Sequence, residues 1–234
     1  MTSPRDRRPI QWALKRAIDV VGAGLGLVVL SPAMLAVGAA IRLDSPGGAL
    51  FRQTRVGRDG HPFEMIKFRT MRAGAPIQFN ADGSTRVGAA DPRVTRVGRL
   101  LRGGLDELPQ LINVLMGEMS LVGPRPDLPV HAETYTEHER RKLAVRPGMT
   151  SIAAVLGRNE ILWRTRMEMD VRYVAGWSLG VDFEIIAQTL LMPMGWKPFK
   201  FRRVLGELSP SDGGADARGR SEEHTSELQS PCNL

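Results

Sequence analysis

The chain has 234 residues, 42% of them hydrophobic, with one cysteine and a formal charge of +7, and its sequence pI is about 10.3. That length suits one substantial core, and a lone Cys232 excludes an internal disulfide framework and fits a cytoplasmic setting. Arginines scattered among glycine and proline, without interleaved aromatics, exclude a stacking platform for nucleic acid and point instead to anionic lipid headgroups and nucleotide diphosphates.

Arg5, Arg7, Arg8, Lys15 and Arg16 precede an uncharged run from Val20 to Ile41. At roughly 1.5 Å per residue, about 22 helical residues are enough to cross a hydrocarbon layer, and the run is too long for a cleaved signal peptide. Arg42, Arg52, Arg55 and Arg58 follow, so a simple crossing satisfies the positive-inside tendency at one end only. Ser31 and Pro32 lie in mid-run, where proline removes a backbone donor and clashes with the carbonyl near Val28. The reading is a re-entrant helix-break-helix membrane anchor over residues 1–44, broken at Ser31-Pro32, with both ends cytoplasmic. A kinked spanning helix is the alternative. Asp19, at the entrance, is expected to cap the segment or to pair with Arg16 at the headgroup level.

Residues 45–204 then read as a cytoplasmic catalytic domain, α+β and mostly helical. Two β-type runs, 49–57 and 63–71, flank a Gly-Arg-Asp-Gly turn and predict a hairpin packed on a further element. Residues 73–91 are small, polar and aperiodic, as in a loop that covers a site. Thr95–Leu101 and Leu108–Met116 read as helices, the second with Leu108, Leu111, Ile112 and Leu115 on one face.

Asp106-Glu107, at the start of that second helix, is the most informative pair in the chain. Adjacent carboxylates among apolar neighbours raise each other's cost of ionisation unless a cation or arginines offset them, and helix N-terminal amides favour an oxyanion or phosphate beside them. Pro124-Arg125-Pro126 follows, and a guanidinium on a rigid loop makes a good phosphate clamp because little ordering is lost on binding. Lys67, Arg69, Arg102 and Arg158 are further candidates for substrate phosphates.

Thr136–Leu143 reads as an exposed charged helix. Trp163–Val174 has a mixed-charge face that can lend one more acid, Asp170, to a site. Asp182–Leu191 is apolar on Phe183, Ile186, Ala187 and Leu190. The aromatic and basic run from Met194 to Arg203 suits an amphipathic element at a membrane interface, with core packing as an equal alternative. A flexible tail occupies 205–219. Residues 220–234 look like a translated sequencing adapter, which would remove Cys232 from the native chain.

The ordered set Lys15-Arg16-Ala-Ile-Asp19, Ser31-Pro32, Arg55-Val-Gly, Lys67-Phe-Arg69-Thr-Met, Arg96-Val-Gly-Arg99, Asp106-Glu107-Leu-Pro-Gln, Gly123-Pro-Arg-Pro126, Arg146-Pro-Gly-Met-Thr150 and Gly157-Arg158-Asn159 resembles the bacterial sugar transferases, the monotopic phosphoglycosyl transferases that begin exopolysaccharide, O-antigen and glycoprotein assembly. The resemblance implies transfer of sugar 1-phosphate from a UDP-sugar to polyprenyl phosphate with release of UMP, at the bacterial inner membrane with the catalytic domain facing the cytoplasm. It implies Asp106 as nucleophile and metal ligand, Glu107 as its partner, and Mg²⁺ as cofactor; homo-oligomerisation stays open. Two departures stand out: one residue fewer than usual separates Arg102 from Asp106, and Thr150-Ser-Ile-Ala-Ala154 lacks the family's glycine and glutamine. These leave a second reading, a membrane scaffold of the same fold without turnover, and a third, a basic lipid-binding protein without a site.

Overall fold

The computed structural model describes residues 8–76, 78, 91–157, 161–192 and 201–206. Most of the candidate covering loop falls outside these, as do Arg158, residues 194–200 of the aromatic and basic run, and the chain beyond residue 206.

Helix α1, Pro9–Asp44, runs for 36 residues, about 54 Å at the α-helical rise. The expected break is absent: the chain remains helical through Ser31 and Pro32. Proline withholds the N–H that Val28 O would normally receive four residues on. The Ser31 hydroxyl donates to that same carbonyl at 2.9 Å, so the Ser-Pro pair repairs the ladder it would otherwise interrupt. One stripe of α1, comprising Trp12, Ala23, Leu27, Leu30, Met34, Val37 and Ile41, packs on the body of the protein. The opposite stripe, with Leu14, Val21, Leu25, Val28, Val29 and Leu35, is exposed.

The hairpin forms as expected from β1, Leu50–Val56, and β2, Pro62–Phe68, antiparallel with Phe51 opposite Lys67 and Arg55 opposite Phe63. After α2, Arg96–Leu101, whose N-cap Thr95 accepts from Gly98 N, comes α3, Gln110–Met116. Its Asn113 is fully buried and acts as a strand neighbour for β2, accepting from Ile66 N at 3.0 Å and donating to Glu64 O at 2.8 Å. Arg16 caps the far end of α3 on the carbonyls of Val114 and Leu115, where positive charge complements the helix dipole. Asp19 therefore pairs differently from expectation. It is buried and accepts from the Ser120 hydroxyl and from Leu121 N, at 3.0 and 2.9 Å.

The chain continues through β3, Ser120–Val122; α4, Pro129–Glu133; α5, Glu137–Arg140; β4, Gly148–Thr150; α6, Ile152–Leu156; α7, Trp163–Gly176; α8, Leu179–Leu191; and α9, Arg202–Leu205. Strands β3 and β4 pair in parallel, a second sheet that three-residue runs do not announce in sequence. The largest core joins α6, α7 and α8 through Ile152, Val155, Met169, Tyr173, Val174 and Ile185. Phe201 is buried in it, so this aromatic serves core packing and not a membrane interface. On α8 the side expected to be apolar is divided: Ile186 packs on the core, Phe183 and Leu190 are exposed, and Asp182 and Gln188 are buried. Asp182 takes a buried ion pair from Lys15 at 2.6 Å and hydrogen bonds from Tyr173 and Trp177, which fastens the start of α1 to α7 and α8. Trp12 stacks on Trp177 at 3.9 Å.

Several motif glycines are packing devices. A Cβ on Gly98 would lie 2.0 Å from Thr70 O, with no flexible side chain to yield, and one on Gly148 would lie 2.0 Å from Gly123 N. Gly24, by contrast, faces open space within a helix. Gly98→Ala is expected to cost about 2–4 kcal/mol through forced backbone displacement. Gly24→Ala should gain about 0.5–1 kcal/mol from helix propensity. Thermal melts of the two variants read the contrast directly, and equal melting temperatures would refute the close approach at Gly98.

Candidate active site

Two consecutive glycines open the site. Gly103 and Gly104 have φ of 144° and 125°, values that favour glycine, and they swing the chain out of α2 into a short 3-10 turn, Leu105–Glu107. The acid pair thus stands on its own turn and not at the start of α3, which begins at Gln110 after an N-cap of Pro109. Free helical amides are therefore not what faces Asp106. Its charge is offset by Lys67, by its own backbone N–H and by Arg125. The turn packs on β2, which carries Lys67, and Arg125 donates to Glu107 Oε1 at 3.3 Å.

Burial and the neighbouring Glu107 carboxylate push the Asp106 acid above its ordinary range, with Lys67 and Arg125 drawing it back only in part. Lys67 is depressed by its own burial and by Arg55, and Asp106 opposes that shift. Its ammonium stands 5.5 Å from the centroid of the Phe51 ring. Arg55 is lowered to about 10 by burial and by the nearby Arg125. It donates to Pro126 O and Gln53 Oε1, while its Nε, buried, lacks a hydrogen-bond partner. Asp106, Glu107, Lys67, Arg55 and Arg125 thus form one electrostatic cluster. In sequence Arg55 reads as one of the basic residues after the anchor and as part of the Arg55-Val-Gly motif, with no role at the site; the hairpin register is what carries it here.

Arg125 is exposed between buried Pro124 and Pro126, and the loop is gripped from behind. Its backbone N–H donates to Asp170 Oδ2 at 3.2 Å. Lys142, with 4% of its side chain exposed, bridges Asp170 and Asp127 at 2.8 Å each, and the Tyr135 hydroxyl donates to Asp127 at 2.5 Å. Burial opposes the charge on Asp127, but Lys142 and Tyr135 outweigh it and hold the carboxyl down at about 2. The expectation that Thr136–Leu143 is merely an exposed helix therefore fails at Lys142. After α5 the chain tightens into a 3-10 turn, Arg141–Ala144, and Lys142 turns inward, a change of pitch that a run of charged residues does not reveal.

The other sequence candidates separate. Asp170 is buried and acts on the loop backbone, a positioning role. Arg69 is buried and donates to the carbonyls of Ser45 and Pro46 at 2.8 and 2.6 Å, closing the exit from α1. Arg102 is the C-cap of α2, and its charge acts on Asp91. Arg158 lies outside the described residues. Among the described residues no group of three His, Cys, Asp or Glu side chains encloses a metal. The adjacent acids Asp106 and Glu107 do fit a hard divalent cation, because Mg²⁺ commonly takes one or two protein carboxylates and completes its shell with substrate phosphates and water.

Lys142→Met is expected to destabilise the protein by about 3–5 kcal/mol at pH 7, since it strands two buried carboxylates. Without the ammonium both acids have folded pKa values above their unfolded ones, so the variant regains stability as the pH falls and they protonate. In the wild type Asp127 runs the other way, its stabilisation present above the ordinary carboxylate pKa and lost as the pH falls toward about 2, while burial keeps Asp170 raised even beside Lys142. The gap in melting temperature should therefore narrow between pH 7 and pH 4, and a constant gap would refute the bridge.

Residues 10–195 match the family model described as bacterial sugar transferase. The chain is 45% identical over 188 residues to a UDP-glucose:undecaprenyl-phosphate glucose-1-phosphate transferase of Caulobacter vibrioides, covering 75% of this chain and 68% of that protein. It is 38% identical to the exopolysaccharide production protein ExoY of Sinorhizobium fredii, over 78% of this chain and 86% of the relative. An Escherichia coli protein named for the same activity as the Caulobacter one is 41% identical over 76% of this chain, and the match spans 39% of that longer protein. With residues 10–195 matched by the family model and these relatives 38–45% identical over about three quarters of its length, the chain belongs to the bacterial sugar transferase family of enzymes.

Proposed function

We propose that the protein transfers sugar 1-phosphate from a UDP-sugar to undecaprenyl phosphate or a similar polyprenyl phosphate, releasing UMP, through a covalent phosphosugar on Asp106. The observation that carries this reading is the half-buried Asp106 carboxylate, raised in pKa and set beside Glu107 among Lys67, Arg55 and Arg125. A partly desolvated carboxylate is an able nucleophile, and the surrounding cations suit a diphosphate. Asp106 attacks the β-phosphorus, the bond to the bridging oxygen breaks, and UMP leaves. An oxygen of the polyprenyl phosphate then attacks the same phosphorus, which frees the Asp106 carboxylate and yields a polyprenyl-diphosphate sugar. A bound Mg²⁺ at the acid pair would supply neutralisation of the diphosphate charge. Arg125, paired with Glu107 before substrate arrives, exchanges that partner for a phosphate oxygen, and Asp170 with Lys142 keeps its loop in place.

The anchor supports a site at the headgroup plane of the bacterial inner membrane, on the cytoplasmic side. Both ends and the middle of α1 rest on one body, a geometry that suits a helix lying along or dipping into one leaflet better than one crossing it. The exposed apolar stripe of α1, together with Phe183 and Leu190 of α8, would meet lipid. Such an enzyme supplies the first lipid-linked sugar of an exopolysaccharide or O-antigen. A scaffold of the same fold would release no UMP from any UDP-sugar.

Asp106→Asn tests the assignment with two readouts. UMP release should fall by at least about 10³-fold, the scale of losing a covalent nucleophile. At pH 7 the same variant should melt a few degrees higher than wild type, because the raised folded pKa means that ionised Asp106 costs stability above the ordinary carboxylate range, a cost a neutral amide avoids. Continued turnover by the variant would sink the nucleophile assignment.

A further inference from the structure

Beside the half-buried acids Asp106 and Glu107 stand two exposed leucines. Leu105, which immediately precedes Asp106 in the same 3-10 turn, is 56% exposed, and Leu100 on α2 is 80% exposed. Scattered exposed leucines are ordinary; these two are distinguished by where their element sits. The inner face of α2, with Val97 and Leu101, packs on Met34, Val37 and Ile41 of α1, and Asp44 at the end of α1 accepts from Val97 N at 2.9 Å. The other end of α2 leads through Gly103 and Gly104 to the acid pair, whose turn packs on both α2 and β2. Helix α2 therefore bridges the apolar anchor and the nucleophile. Exposed Arg96 and Arg99 flank Leu100, cations placed for a phosphate-bearing lipid. On the other side of the turn, Phe51 is partly exposed beneath the Lys67 ammonium.

We infer that Leu105 and Leu100 form the track on which the isoprenoid chain of the acceptor lies, guiding its phosphate from the bilayer to Asp106. The inference rests on the proposed transfer to a polyprenyl phosphate and goes on to name the surface that recognises the lipid portion. The occupant is the acceptor chain and not bulk lipid for a reason of connectivity. A phosphate brought to Asp106 carries its first isoprene units with it, and the apolar surface adjoining Asp106 in the same turn is Leu105. Leu100, exposed five residues earlier on α2, stands on the element that is seated on the anchor. Burying leucine against isoprene recovers the hydrophobic free energy that the exposed side chains forgo, so the chain contributes to acceptor affinity without contacting the nucleotide sugar.

Leu100→Gln and Leu105→Gln test this in the full-length protein, since exposed positions tolerate the change without loss of the fold. Three measurements are combined: the UMP burst from UDP-sugar without acceptor, KM for undecaprenyl phosphate against KM for a prenyl phosphate too short to reach Leu100, and partition onto phosphatidylglycerol-phosphatidylethanolamine vesicles. The expected result is about a 10-fold rise in KM for the long acceptor in each variant, the scale of one lost leucine contact. For Leu100→Gln the short-acceptor KM should stay unchanged, and for both variants so should the burst and vesicle partition. An unchanged long-acceptor KM overturns the inference, and so does a vesicle partition that falls in step with KM, which would assign the leucines to bulk lipid. Absence of a UMP burst in the wild type would instead strike the covalent reading itself, whatever the leucines do.

Discussion

A single buried ammonium holds the active loop in place. Lys142 spans Asp127 and Asp170, and through them it fixes both the segment that leaves Pro126 and the backbone N–H of Arg125. Three charges this deeply buried are costly to desolvate, and the cost is offset only because every partner is in place at hydrogen-bond distance. The result is a loop whose backbone is held while the Arg125 side chain remains exposed. A guanidinium mounted this way can exchange Glu107 for phosphate with little rearrangement beneath it, the condition under which a charged contact contributes most to binding.

The anchor follows a similar principle on a larger scale. Helix α1 is joined to the body at its start by Lys15 with Asp182 and by the Trp12-Trp177 stack, in its middle by Ala23, Leu27 and Leu30, and at its end by Ile41 and by Arg69 on the carbonyls of Ser45 and Pro46. A helix attached by its tip alone could pivot and carry the site away from the surface it serves. Attached along its length, it presents one apolar stripe outward in a fixed relation to Asp106. The Ser31 hydroxyl contributes by satisfying the carbonyl that Pro32 leaves without a donor, and in a nonpolar surrounding such a satisfied carbonyl is worth more than in water.

Sequence legibility tracked the range of the interaction. The hairpin was legible because its turn and alternation are local, and helices α2, α7 and α8 because apolar spacing and capping residues are local as well. Asp106, Glu107 and Arg125 could be singled out because an adjacent acid pair and a proline-flanked arginine are unusual in themselves and fall within a family's ordered motifs. Other assignments needed partners far along the chain. Lys142 lay within a charge run that looks solvated, Arg69 within a motif that looked like phosphate binding, and Asp19 at what looked like a headgroup position. Their true partners, Asp170, Ser45 and Ser120, are 24 to 101 residues away or across another element.

The sequence by itself thus determined the long apolar helix, the hairpin, the chemical types gathered at the site and the family, all properties of neighbouring residues or of motif order. Only the tertiary structure decided that Asp106 stands on a 3-10 turn facing Lys67 and Arg125, that Arg55 joins them, and that the anchor runs unbroken along the body. The physical reason is that electrostatic cost and its compensation depend on distance through space. Burial turns a carboxylate into a reactive or a costly group only once the fold has chosen which cation lies beside it.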